Sequence, residues 1–110
     1  SYEAKIPEPP TGVGVTSGAT YNGSNVNTAS IKVIWDPATI SNGTLSGSVV
    51  SYQKEGSAIW TNLGVTPTDP NTGTEYILTN LEYQKYYSVK VASRTTHVGG
   101  TSDTVTGQAT

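Results

Sequence analysis

The stretch that decides the fold is Thr74–Ser93, TEYILTNLEYQKYYSVKVAS. Large apolar residues recur at every second position in both of its halves: at Tyr76 and Leu78, and then at Tyr87, Val89 and Val91. Successive side chains of a β-strand point to opposite faces, so each run places its apolar residues on one face of a strand. A short polar turn separates the two runs. The pattern predicts two strands whose apolar faces form part of a core between two sheets.

Further alternating runs predict the rest of an all-β architecture. They give strands at Val13–Val15, Ile31–Trp35, Ser48–Glu55 with Val50 and Tyr52 inward, Ile59–Leu63, Tyr86–Arg94 and about Thr101–Ala109. Gly, Ser, Thr and Asn are abundant, and no window has a 3.6-residue period. Seven strands separated by short turns, and one long stretch at about residues 17 to 29, predict an antiparallel sandwich.

Length, charge and cysteine content exclude several classes of protein. The chain has 110 residues, enough for one domain with its own core. Its net charge of -2 favours neither nucleic acid nor anionic lipid as a partner, and it has no cysteine for a disulfide, a thiolate nucleophile or a zinc site. No apolar run is long enough for a membrane span. Because the chain starts at Ser1 and opens on the stiff segment Ile6–Pro10, we expect a piece of a longer polypeptide, with residues 1–8 as linker or the end of a preceding domain and residues 9–110 as the domain.

In its order of residues, the chain resembles the fibronectin type III family from about Pro9 to its end. The residues that carry the resemblance are Pro10-x-x-Val13-x-Val15, Val33-x-Trp35-x-Pro37, Trp60, Tyr76-x-Leu78-x-x-Leu81 and Tyr87-x-Val89-x-Val91. The resemblance implies a seven-stranded immunoglobulin-like sandwich with Trp35 at the centre of the core and Tyr87 as the tyrosine-corner residue. The chain departs from the family pattern at Tyr83, where Pro is usual, at Ser48, where an aromatic residue is usual, and at Ser93, where Ala is usual.

A search for catalytic and metal-binding chemistry predicts none. His97 is the one histidine, and no nucleophile motif accompanies it. Asp36, Asp69 and Asp103 lie in or near predicted loops but lack the spacing of a calcium-binding loop. Lys32 and Lys90 fall between inward-facing residues and should face solvent. We therefore expect no enzyme activity, no cofactor and no metal.

The candidate binding residues lie on one strand and on the loops at one end of the sandwich. Ile59 and Trp60 point to opposite faces, so one of them should be partly exposed; for Trp60, packing as a lid on the sheet is favoured over ligand binding. The possible binding surface consists of Trp60 and the loop residues Asn42, Thr44, Asp69, Asn71 and His97. Asn22-Gly-Ser24 and Asn42-Gly-Thr44 match the glycosylation sequon and are equally good turns.

These features favour a non-catalytic structural and interaction module of a larger extracellular or virion assembly. Among such modules the chain is similar to those in tail-tip and baseplate proteins of tailed bacteriophages, which attach the particle to its host; this likeness rests on Ile6–Gly12, the stretch before Ile31 and the Trp60 strand. The alternative is an accessory module of a secreted bacterial carbohydrate-active enzyme or adhesin. The expected partners are neighbouring domains, with a host-surface protein or glycan as a further candidate. No nucleic acid and no membrane insertion are expected, and the isolated domain should be a monomer.

Overall fold

A computed structural model of the protein describes residues 8–17, 28–36, 47–65, 75–94 and 98–110. Within these ranges the chain forms strands and no helix. The strands are β1 (Thr11–Ser17), β2 (Thr28–Asp36), β3 (Gly47–Lys54), β4 (Thr61–Val65), β5 (Glu75–Glu82), β6 (Tyr86–Arg94), β7 (Val98–Thr101) and β8 (Val105–Gln108).

The strands form two antiparallel sheets. The smaller sheet has the order β1-β2-β5. The larger sheet has the order β4-β3-β6-β7, and β8 also pairs with β6. This arrangement confirms the predicted all-β antiparallel sandwich, with eight strands in the described ranges where seven were expected.

The core lies between the sheets and is built from the inward-facing residues that the alternation predicts. Its members, each less than a tenth exposed, include Ile31, Val33, Trp35, Val50, Leu78, Leu81, Tyr87, Val89 and Val91. Val13, Val15 and Tyr52 are partly buried and pack against this cluster. Burial of a large aromatic side chain and of branched aliphatic ones on both sheets provides the main favourable free energy of the fold.

The predicted tyrosine corner is present at the start of β6. The side chain of Tyr87 is buried, and its hydroxyl oxygen accepts a hydrogen bond from the backbone N–H of Glu82 at 2.9 Å. The ring also lies 6.1 Å from that of Tyr52, at an interplanar angle of 57°. This contact ties the β5–β6 turn to the core.

The last predicted strand, Thr101–Ala109, is wrong in its extent. The chain forms β7 from Val98, in a stretch predicted to be the loop after the sixth strand, and then breaks before β8. At the break, Ser102 bonds to one residue of β6 in two ways: its N–H donates to the carbonyl of Val91 at 2.8 Å, and its hydroxyl accepts from the N–H of Val91 at 2.9 Å. The hydroxyl takes over a backbone position in the ladder, so one expected strand becomes two.

The predicted fourth strand is displaced by two residues. Pairing with β3 begins at Thr61 rather than Ile59 and continues to Val65. The N–H of Ile59 bonds instead to the hydroxyl of Ser57 at 3.2 Å, a local hydrogen bond that competes with strand pairing. Strand β4 therefore starts at Thr61, two residues after Ile59.

Tyr76 contributes less to the core than the alternation predicts. It is opposite Val33 in the ladder, on the same face as Leu78, yet 36% of its surface is exposed while only 2% of Leu78 is. Tyr76 lies on β5, the outer strand of the smaller sheet, so only part of its ring is covered.

Candidate interaction surface

Of the predicted binding residues, the structure describes Trp60. The others lie outside the described residues: Asn42, Thr44, Asp69, Asn71 and His97. The same holds for both glycosylation sequons. The described part of the candidate surface therefore consists of the two sheets and the turns at one end of the sandwich.

Trp60 lies directly before β4 and packs against a cation of the same sheet. The Lys90 ammonium is 3.9 Å from the centroid of the indole, a cation–π distance, and both residues are partly buried. Lys90 is on the outer face of β6, between the buried residues Val89 and Val91. The contact favours packing as the role of Trp60, because the ammonium occupies one face of the ring that a sugar would use for stacking.

A polar row crosses the outer face of the larger sheet next to this pair. Ser51 on β3 is opposite both Asn62 on β4 and Lys90 on β6. The Ser51 hydroxyl donates to the Asn62 side-chain oxygen at 2.6 Å. Ser51 and Asn62 are hydrogen-bonded to each other, so neither side chain is an isolated reactive group on this face.

On the smaller sheet, Lys32 forms an ion pair with a residue of the neighbouring strand. Its ammonium forms an ion pair with Glu75 at 3.0 Å, and both side chains are more than a third exposed. The prediction that Lys32 faces solvent agrees with this position.

The end of the sandwich that holds the β5–β6 turn is strongly fixed by hydrogen bonds. Gln84 has a φ of 64°, which a non-glycine residue adopts only when its surroundings require it. Its N–H donates to the carbonyl of Ala109 at 2.7 Å, and the N–H of Ala109 donates to the carbonyl of Lys85 at 2.9 Å. The C-terminal residues therefore hold the turn in place. Tyr83 and Tyr86, on either side of it, are each 48% exposed.

An ion pair joins this turn to the neighbouring β3–β4 turn. The Lys54 ammonium donates to a carboxylate oxygen of Glu82 at 2.9 Å. That hydrogen bond, and then the opposite charge, lowers the pKa of Glu82 and raises the pKa of Lys54. Both side chains are about half exposed, so the pair is a surface contact of small energy.

A shallow cleft of about 370 Å³ lies between β4 and β5, where the two sheets have their open edges. Tyr52, Thr61 and Leu81 line it, and Ile59, 75% exposed, lies at the same cleft. Hydrophobic alternation in the sequence does not indicate this cleft, and its one signal there is the uncharged run from Ala58 to Val65.

The described residues contain no group of three His, Cys, Asp or Glu side chains arranged to hold a metal ion. Asp36 and Asp103 are exposed, and Asp69 lies outside the described ranges. Within the same ranges no helix has the length and hydropathy that a membrane span requires.

The two sheets, the buried tryptophan of β2 and the tyrosine corner define an immunoglobulin-like β-sandwich. The chain belongs to the fibronectin type III domain family, which matches residues 9–108. Members of this family are generally non-catalytic modules.

Several solved structures share the fold. The fn3 domain of human contactin 1 superposes with a TM-score of 0.71 at 20% identity, over 98% of this chain and 82% of that one. The FN5 domain of Drosophila Lar gives 0.66 at 24%, over 94% and 96%. The FN1–FN3 domains of chicken CNTN1 give 0.69 at 20%, over 97% of this chain and 34% of the other. No curated protein sequence matches the chain. At these identities the likeness extends to the fold alone.

Proposed function

We propose that the chain is a non-catalytic structural and interaction module that holds neighbouring parts of a larger extracellular or virion assembly in place. In its narrower form, the proposal is a module of a bacteriophage tail-tip or baseplate protein that takes part in host attachment. The observation that carries the structural role is the position of the two ends of the domain.

The N-terminal segment and the C-terminal residues lie toward opposite ends of the sandwich. Thr11, the first residue of β1, is opposite Asp36 at the end of β2. Pro10 before it is buried, and Pro9 is packed so closely against β7 that a Cβ on Gly100 would come within 3.0 Å of the proline ring. This fixes the N-terminal segment beside the last residues of β6, which pair with β7.

The C-terminal residues are fixed at the first residues of β6. Gln108 is opposite Tyr86, and Ala109, fully buried, bonds to the turn before β6. The carbonyl of Thr110 accepts from the N–H of Ser30 at 3.4 Å. From Tyr86 to Arg94, β6 runs over eight residue steps and separates the two ends by roughly 26 Å, at about 3.3 Å per step. A module held at both ends in this way is suited to act as a spacer of defined length.

The spacer geometry can be measured by pulsed electron paramagnetic resonance. The chain has no cysteine, so spin labels on Glu8→Cys and Lys85→Cys report one distance without background. We expect a single narrow distribution of distances between the two spin labels, centred at roughly 30 Å. A broad distribution would show that the N-terminal segment is not fixed to the sheet and would remove the basis of the spacer role.

The host-attachment role is tested by comparing the monomeric domain with a trimerised fusion on candidate host cells and on purified envelope glycans. We expect weak binding by one copy and a large gain on trimerisation, because several modest contacts on one particle act together. The alternative, a carbohydrate module of a bacterial enzyme or adhesin, would use the face of the Trp60 indole that Lys90 does not cover. Tight binding of glycan by a single copy, lost in Trp60→Ala, would favour that alternative and contradict the attachment role.

A further inference from the structure

We propose that the outer edge of β4 accepts an extended segment of a partner protein, which adds a strand to the larger sheet. The inference rests on the interaction role proposed above and names the surface and the partner chemistry for it. Two observations carry it: the regularity of the β4 edge and the inward-facing Leu63 and Val65 of that strand.

The β4 strand is the outermost strand of its sheet and is regular along its whole length. Thr61–Val65 pair with β3 without a register shift. In an antiparallel ladder alternate N–H and C=O groups point away from the paired strand, so one side of β4 presents hydrogen-bonding groups outward. No strand in the described part of the chain pairs with that side. The sequence of β4, TNLGV, contains no charge and no proline.

The other edges in the described ranges are irregular or covered. The pairing of β1 shifts register between Thr11 and Gly14, and β5 has an extra residue at its bulge, where Asn80 has a φ of 59°. The short β7 also shifts register against β6. The remaining edge strand, β8, lies so close to β1 that a Cβ on Gly107 would come 2.7 Å from the Val15 side chain. Within the described residues, β4 has no bulge and no covering element, two of the devices that prevent strand addition.

The cleft beside β4 defines what the added strand should carry. Val65 is buried, Leu63 packs on the core and Thr61 lines the cleft, so alternate residues of β4 face inward. Every second side chain of an added strand would lie next to these residues, and the cleft lies at the Thr61 end of that row, where Ile59 is 75% exposed. The ammonium of Lys54 at the cleft is already paired with Glu82. The fitting partner is therefore an uncharged extended segment with an apolar side chain at every second position.

The test is an NMR titration of the whole chain with a synthetic seven-residue peptide, GSVVSYQ, the sequence of β3 without its terminal lysine. This strand already pairs with the inner side of β4, so its alternation of side chains suits the outer side as well. We expect amide shift changes confined to Thr61–Val65 and methyl shift changes at Ile59. Thr61→Lys, which puts a charge into the edge and the cleft, should abolish them, whereas the matched control Thr106→Lys on β8 should retain them.

A peptide of the same sequence with every backbone nitrogen methylated keeps the side chains and loses the N–H donors. If it causes the same shifts as the plain peptide, the contact is not strand addition and the proposal fails. The proposal also fails if the plain peptide causes no shift at millimolar concentration. Shifts at Thr61–Val65 that depend on protein concentration alone would identify a second copy of the chain as the occupant and overturn the assignment to a partner protein. None of these outcomes decides the cell-binding comparison, so failure of this inference is distinguishable from failure of the proposed function.

Discussion

Removal of one oxygen atom, in Tyr87→Phe, tests the tyrosine corner directly. The ring is buried and keeps its packing beside Tyr52, so the change acts through the hydrogen bond from the Glu82 N–H, which is 2.9 Å long. A typical hydrogen bond contributes about 1 kcal/mol, and a donor left buried without a partner costs about 1–3 kcal/mol. Because the Glu82 side chain is about half exposed, water can reach this turn, and the lower part of that range applies. We expect a loss of about 1–2 kcal/mol in the free energy of unfolding.

The measurement is thermal and urea unfolding of the wild type, Tyr87→Phe and Tyr86→Phe. For a domain of this size the loss corresponds to a decrease in Tm of roughly 5–15 °C. Tyr86 is the matched control, since its side chain is 48% exposed and on the other face of the same strand. It should change Tm by no more than a surface substitution does. Equal effects of the two substitutions would refute the corner as a stabilising contact.

Three further predictions concern stability. Trp35→Ala should cost about 3–5 kcal/mol, because the side chain is 2% exposed at the centre of the core, and a variant that melts within a few degrees of wild type would contradict this. Ser93→Ala should stabilise the domain by about 1 kcal/mol, because the buried Ser93 hydroxyl has no hydrogen-bond partner among the described residues; a lower urea midpoint would reveal a partner. The pair Lys54–Glu82 should help at neutral pH and fade at both extremes. Because the pKa of Glu82 is lowered, the contribution of its charge to folding stability is fully present above the ordinary pKa of 4.5. It is lost as the pH falls through the lowered pKa. Because the pKa of Lys54 is raised, the contribution of its charge is fully present below the ordinary pKa of 10.5 and is lost as the pH rises through the raised pKa. The small Tm difference between wild type and Glu82→Gln should therefore shrink in acid and in alkali.

Alternation predicted the central strands well because burial on one face imposes it. The run from Tyr86 to Arg94 forms β6 with the expected limits, and Tyr87, Val89 and Val91 are all buried. The errors lie where side-chain hydrogen bonds replace backbone pairing. At Ser57 a hydroxyl delays the start of β4, and at Ser102 another interrupts the final strand. Neither effect leaves a trace in hydrophobic periodicity.

The candidate site was less predictable than the fold. The sequence identified Trp60 as a partly covered aromatic residue, but its contact with Lys90 depends on the register between strands that are distant in sequence. The same is true of the cleft at Ile59, which requires β4 and β5 to form the open edges of two different sheets. For the loop residues Asn42, Thr44, Asp69, Asn71 and His97, binding remains a prediction.

The burial of Ala109 has a consequence for how the domain folds during synthesis. This residue is fully buried in the core cluster, and its backbone holds the turn before β6. A nascent chain that has emerged from the ribosome only as far as Thr101 lacks β8 and this closing contact, so the Val15 side chain of β1 loses the cover that Gly107 of β8 gives it. Ribosomes add about 5–20 residues per second, so such a chain exposes an unfinished sheet edge for a short time. Truncated nascent chains that end at residues 101 and 110, each followed by the same long polar linker, should therefore differ sharply in resistance to protease.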